Sequence, residues 1–146
     1  LARGEALSQA QPRGYHGFML KCVMLIDDND ADLLYTRIVL ERSGVANDVL
    51  AFESARDALT ALSAQPAPDV DLILLDINMP GMNGFEFLQA YEEQLPADYA
   101  PAVVMLTSSS DPAERRRAQS FRSVRGYVTK PLDTASAVGL ADLARR

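Results

Sequence analysis

The sequence predicts an α/β fold, a doubly wound three-layer sandwich built on one parallel sheet. Three observations predict it. Short continuous apolar runs alternate with amphipathic segments, the runs lack a period-2 pattern, and several end on a polar residue. Strands read this way when helices cover both faces of a parallel sheet. The length of 146 residues suits one domain, and a domain of this size buries roughly 68–70% of its unfolded surface.

The elements follow in order. Residues 1–18 hold three glycines and a proline with little periodicity. They are expected to be a flexible leader or a cloning remnant, with the folded domain over 19–146. Cys22–Ile26 is the first strand and ends in Asp27-Asp28. Residues 30–43 place apolar side chains at Leu33, Leu34, Ile38 and Val39, and Gly44 is a helix stop. Asp48–Phe52 is a second strand. Ser54, with Asp57 three residues on, opens a helix that lines Ala55, Ala58, Leu59 and Leu62 on one face. Pro66-Ala67-Pro68 interrupts the chain, and Leu72–Leu75 is a fully apolar third strand ending at Asp76. Asn83 with Glu86 starts a helix running to about Glu93. Asn83-Gly84 is also a hairpin signal, but its flanks do not alternate. Val103–Leu106 leads to Thr107. Asp111-Pro112-Ala113-Glu114 combines a cap, a first-position proline and an acid. Tyr127-Val128 is a short strand before Lys130-Pro131, and a last helix spans about Asp133 to Ala144.

Composition excludes several functions. A net charge of −6 argues against gripping nucleic acid or an acidic membrane surface. No apolar stretch reaches a membrane-spanning length, so the expected compartment is the cytosol. Cys22 is the single cysteine, which precludes an internal disulfide; in an apolar run it reads as a small core residue. His16, the single histidine, lacks the surroundings of a catalytic base.

Open parallel sheets bind ligands beyond the carboxyl ends of their strands. Asp27, Asp28, Asp76, Thr107 and Lys130 all fall there. Crowded carboxylates repel one another, and an ammonium or a hard divalent cation offsets the repulsion. Mg²⁺ takes oxygen ligands at about 2.0–2.1 Å and retains waters. Asp28, Asp76 and a backbone carbonyl would supply three such oxygens. A carboxylate can attack phosphorus to form an acyl phosphate, with the metal, Lys130 and Thr107 each facing one phosphoryl oxygen.

The motifs LIDDN, LILLDINMPGMNG, VVMLTSS and GYVTKPL occur in this order, each at a strand end. Together they resemble a receiver domain of a bacterial two-component response regulator, of the single-domain chemotaxis-regulator kind, from about Lys21 onward. The resemblance implies a flavodoxin-like (βα)5 sandwich with strand order 2-1-3-4-5. It implies Asp76 as phosphoacceptor, Asp28 as a direct Mg²⁺ (or Mn²⁺) ligand and Asp27 as a ligand through water. The Asn78 backbone carbonyl would complete the metal set. Thr107 and Tyr127 would be the switch pair, Lys130 the phosphoryl-binding lysine, and Lys130-Pro131 a cis peptide. Asn78 and Ser109 match positions that tune phosphoryl lifetime. The implied donor is a sensor histidine kinase or phosphotransfer protein. The output surface would be the fourth helix, fifth strand and fifth helix, which is also a possible homodimer face. The downstream partner is unnamed, with no direct nucleic-acid or membrane role, and the chain would catalyse only its own phosphorylation and dephosphorylation.

Other readings stand beside these. Asp27-Asp28 could cap a helix, Tyr127 could fill core, and Arg115-Arg116-Arg117 reads as a solvated face. Two other functions remain: a phosphorylation-independent adaptor of receiver fold, or a phosphohydrolase of the haloacid-dehalogenase type. The latter carries a second acid two residues after its nucleophile, where this chain has Asn78. The chain is either a free-standing regulator or a domain of a longer protein.

Overall fold

The computed structural model describes residues 19–96, 98 and 100–145. The expected leader, with His16, lies outside the described residues. Strands and helices alternate: β1 Leu20–Ile26, α1 Asp30–Ser43, β2 Ala46–Phe52, α2 Ala55–Leu62, β3 Leu72–Leu75, α3 Gly84–Gln94, β4 Ala102–Thr107, α4 Pro112–Gln119, β5 Val124–Thr129 and α5 Thr134–Arg145. All strand pairs are parallel, in the order β2-β1-β3-β4-β5. The expected flavodoxin-like fold is observed, and the Lys130-Pro131 bond is cis.

The apolar runs are continuous because successive side chains point to opposite faces, and both faces are covered. In β1, Cys22, Met24 and Ile26 join a core layer with α2 and α3. Val23 and Leu25 join the opposite layer with α1 and α5. The edge strands are longer than their apolar runs suggest. β5 begins at Val124, with Arg125 and Gly126 inside it, and β2 begins at Ala46. An edge strand has one paired neighbour and more exposed positions, so polar residues are tolerated and the apolar signal thins. Arg125 is the extra residue of a bulge, since Val103 pairs with Val124 while Val104 pairs with Gly126.

The helix starts at Ser54 and Asn83 follow the sequence signals, whereas at α1 the cap is Asn29 rather than Asp27 or Asp28. Asn29 Oδ1 accepts the Asp32 N–H at 3.0 Å, Ser54 Oγ accepts the Asp57 N–H at 3.2 Å, and Asn83 and Glu86 form a reciprocal capping box. Gly44 ends α1 with φ 72°, a left-handed conformation that favours glycine. The buried stripe of α1 differs from expectation. Leu33, Thr36, Leu40 and Ser43 are buried, while Leu34 and Ile38 are exposed. The repeat of three to four selects the first set, because one helix face alone reaches the sheet.

Phe87 is fully buried and stacks on Tyr91 with ring centroids 5.4 Å apart. Phe87→Ala is expected to lower unfolding free energy by about 3–5 kcal/mol, read from urea denaturation.

Candidate functional site

The loops after β1, β3, β4 and β5 meet at one rim. β1 and β3 are adjacent and in register, with Ile26 beside Leu75. Asp27 and Asp76, the next residues, are therefore brought side by side. The Asp76 N–H donates to Ile26 O at 3.0 Å, and the Asp27 N–H to Phe52 O at 3.1 Å, so both backbones belong to the sheet ladder. Both side chains are buried, whereas Asp28 is exposed.

Lys130 follows β5 and reaches back across the rim. Its Nζ lies 2.6 Å from Asp27 Oδ2, 2.8 Å from Asp32 Oδ2 and 3.2 Å from Asp76 Oδ2. Its backbone N–H donates to Thr107 O at 2.8 Å. Burial by itself would lower the ammonium's pKa. Hydrogen bonds to Asp27 and Asp32, with the charge of Asp76, outweigh that and raise it above the ordinary lysine value. Asp27 is shifted the other way for a carboxylate. Burial raises its pKa, and the bonds from Lys130 and the Asn29 N–H only partly restore it. The remaining oxygens are also engaged: Asp27 Oδ1 accepts the Asn29 N–H at 3.0 Å, and Asp76 Oδ1 accepts the Ile77 N–H at 2.8 Å.

Carboxylate oxygens of Asp27, Asp28 and Asp76 all lie within 4.8 Å of one another. This donor set suits a hard divalent cation: it is all oxygen, anionic, and open to water on the Asp28 side. Asn78 is exposed, two residues beyond Asp76.

Thr107 is fully buried. Its Oγ1 accepts the Ser109 N–H at 3.3 Å. Tyr127 stands apart from the acids and meets the same loop. Its hydroxyl donates to Ser109 O at 3.0 Å, and Arg115 lies over its ring at 5.2 Å. The Ser109 hydroxyl in turn bonds Glu114 of α4. Ser109 thus links Thr107, Tyr127 and α4. Arg115, Arg116 and Arg117 are all exposed, as expected of a solvated face, and Arg117 also covers the Phe85 ring at 4.2 Å.

Sequence reasoning missed two site residues. Asp32, in the first turn of α1, carries one of the three carboxylates on Lys130; an acid one turn inside a helix that starts at the rim was the available signal. Gly84 packs on the phosphoacceptor candidate's own backbone. A Cβ there would stand 2.5 Å from Asp76 O and 2.9 Å from Ile77 Cα.

An open parallel sheet of this order, with acids and a lysine gathered at its carboxyl rim, defines the chemotaxis-regulator-like branch of the doubly wound class. The response regulator receiver domain model matches residues 23–140, and the chain belongs to that family. It is 30% identical to Protein PilH of Pseudomonas aeruginosa over 76% of this chain and 86% of that protein. It is also 30% identical to the sensor histidine kinase GacS of Pseudomonas protegens, over 88% of this chain but only 12% of that protein. The Mn²⁺-bound form of the response regulator Rcp1 superposes with a TM-score of 0.66 at 25% identity, covering 83% of this chain and 88% of that one.

Gly84→Ala is expected to cost about 1–3 kcal/mol, because the new methyl meets backbone. The urea midpoint measures it, and an unchanged midpoint would show that the turn yields freely. Asp27→Asn is expected to stabilise the protein at neutral pH. With its folded pKa raised, ionised Asp27 binds protons more tightly in the native state, so stability falls as pH rises above the unfolded value of 3.8. The asparagine variant escapes that loss. Its advantage should therefore vanish at and below pH 3.8 and grow as pH rises through the folded pKa, as thermal melts across that range would reveal.

Proposed function

We propose that this domain is a Mg²⁺-dependent phosphoacceptor switch, phosphorylated on Asp76 by a histidine kinase or a phosphotransfer protein. The observation that carries the reading is the seat of the Asp76 carboxylate. It sits beside the Asp27–Asp28 pair and 3.2 Å from the Lys130 ammonium, oriented by the Ile77 N–H. In the transfer, an Asp76 oxygen forms a bond to phosphorus as the bond to the donor's leaving group breaks. With acetyl phosphate the leaving group is acetate. Asp28, Asp76 and the Asn78 carbonyl would hold Mg²⁺ or Mn²⁺, with Asp27 acting through water. The cation supplies neutralisation of charge on the transferring group. Lys130 faces one phosphoryl oxygen and Thr107 another.

The energetics single out Thr107. Lys130 already bonds Asp76 in the unphosphorylated domain at 3.2 Å, so its gain on phosphorylation is small. Only differences between states shift a population. The Thr107 hydroxyl has a proton to donate, and a charge-assisted bond contributes about 1.5–3 kcal/mol. That changes a population ratio by roughly ten- to more than a hundredfold, short of the 5.5 kcal/mol or so that a complete reversal needs. Movement of Thr107 would pull Ser109, release or redirect Tyr127, and alter the α4–β5–α5 face, which we take as the output and possible homodimer surface.

The resemblance to a segment of a sensor histidine kinase is consistent with such a donor. We place the domain over residues 19–146 and its work in the cytoplasm. It acts on its own phosphoryl group and does not turn over a separate substrate. A dehalogenase-type phosphohydrolase is disfavoured because the position two after Asp76 is Asn78. An adaptor is disfavoured because each acid and the lysine are present.

Incubation with Mg²⁺ and acetyl phosphate should add one phosphoryl group by mass spectrometry, and Asp76→Asn should take none. Labelling that persists in that variant would remove the assignment. Continuous release of phosphate from unrelated phosphate esters would favour the phosphohydrolase.

A further inference from the structure

An ammonium has three N–H donors, and Lys130 meets three carboxylates, those of Asp27, Asp32 and Asp76. Asp32 is the unexpected member. It lies outside the acidic trio and on a different element, α1. Its backbone is fixed, since its N–H donates to Asn29 Oδ1 at 3.0 Å. The Asn29 N–H donates to Asp27 Oδ1, also at 3.0 Å. Three hydrogen bonds and the Lys130–Asp27 ion pair thus close a ring through Asp27, Asn29, Asp32 and Lys130 beside Asp76.

An acid in a helix's first turn also favours the helix dipole. Asp30 shares that placement and is exposed. Among the described residues, the carboxylates on Lys130 do not include it. Dipole stabilisation therefore fails to account for the 2.8 Å contact that Asp32 alone makes from α1.

We propose that Asp32 is a positioning residue for phosphoryl transfer: it anchors the Lys130 ammonium from the α1 side and holds it beside Asp76. The inference rests on the phosphoacceptor reading above. Asp27 belongs both to the acidic trio and to the lysine, and an oxygen committed to a cation has less to offer an ammonium. Asp32 has no such second duty. Without it, the long lysine stem loses one of its two shorter anchors and regains rotamer freedom. The ammonium then spends less time where a phosphoryl oxygen needs it.

The test compares Asp32→Asn with Asp30→Asn, which keeps the ring intact, and with Asp28→Asn. Phosphorylation by acetyl phosphate is followed across Mg²⁺ concentrations. Asp32→Asn should lower the maximal rate about tenfold, within the hundredfold that a misplaced group can cost, with the half-saturating Mg²⁺ unchanged. Asp30→Asn should leave both unchanged, and Asp28→Asn should raise the half-saturating Mg²⁺. Independently, ¹⁵N NMR of the metal-free, unphosphorylated protein should show a slowly exchanging Lys130 ammonium that broadens away in Asp32→Asn and persists in Asp30→Asn. A shifted Mg²⁺ requirement with an unchanged maximal rate would make Asp32 a cation ligand and overturn the proposal. So would Asp32→Asn behaving like Asp30→Asn, or losing rate while the ammonium signal survives. If the wild-type protein takes no phosphoryl group, the phosphoacceptor reading fails, while the ammonium signal still decides whether Asp32 anchors Lys130.

Discussion

One ammonium among four carboxylates governs this rim. Lys130 bonds three of them, and Asp28 completes the cluster from the solvent side. Asp27 and Asp76 are buried, and a buried charge stripped of its partner costs about 3–5 kcal/mol. Lys130 is therefore a structural counter-charge as well as a candidate phosphoryl ligand. Its backbone tie to Thr107 O fixes it to the sheet. One positive charge does not balance four acids, and Asp27, raised first by burial and least by the Asp76 charge, holds its proton more tightly than an ordinary carboxylate. The same excess of negative charge makes the rim attractive to a divalent cation.

The second consequence is a short route from the rim to the α4–β5 surface. Thr107 ends β4 with its hydroxyl on the Ser109 N–H, and the carbonyl of Ser109 accepts the Tyr127 hydroxyl. One residue separates the buried hydroxyl from the aromatic, so a small displacement at Thr107 need not pass through the core. Glu114 and Arg115 bring α4 into the same group by contacting Ser109 and Tyr127. The bond from the Ser109 N–H to Thr107, at 3.3 Å, is longer than the 3.0 Å bond from the Tyr127 hydroxyl to Ser109 O.

The scaffold explains why these groups hold their places. β3 and the core of β1 are buried on both faces, so the residues leaving them start from rigid backbone. Gly84 lets α3 approach so closely that its position touches the Asp76 carbonyl. The capping box of Asn83 and Glu86 fixes where that helix begins. Precision at the acid is thus imposed from both sides, by the ladder before it and the helix start after it.

Much of this was legible from sequence. The strand–helix order, the bounds of α1, the caps at Ser54, Asn83 and Asp111, and the rim placement of Asp27, Asp28, Asp76, Thr107 and Lys130 all follow from local patterns. Those patterns are local because caps, apolar runs and turn residues act within a few positions along the chain. The lengths of β2 and β5 were less legible, since edge strands mix polar and apolar residues. Tertiary structure alone decided which acids Lys130 would hold. Asp32 lies 98 residues from it, and no local rule relates two side chains so far apart. It also decided that Ser109 would join Thr107 to Tyr127 and that Gly84 would face Asp76, because such contacts arise only when separate elements pack.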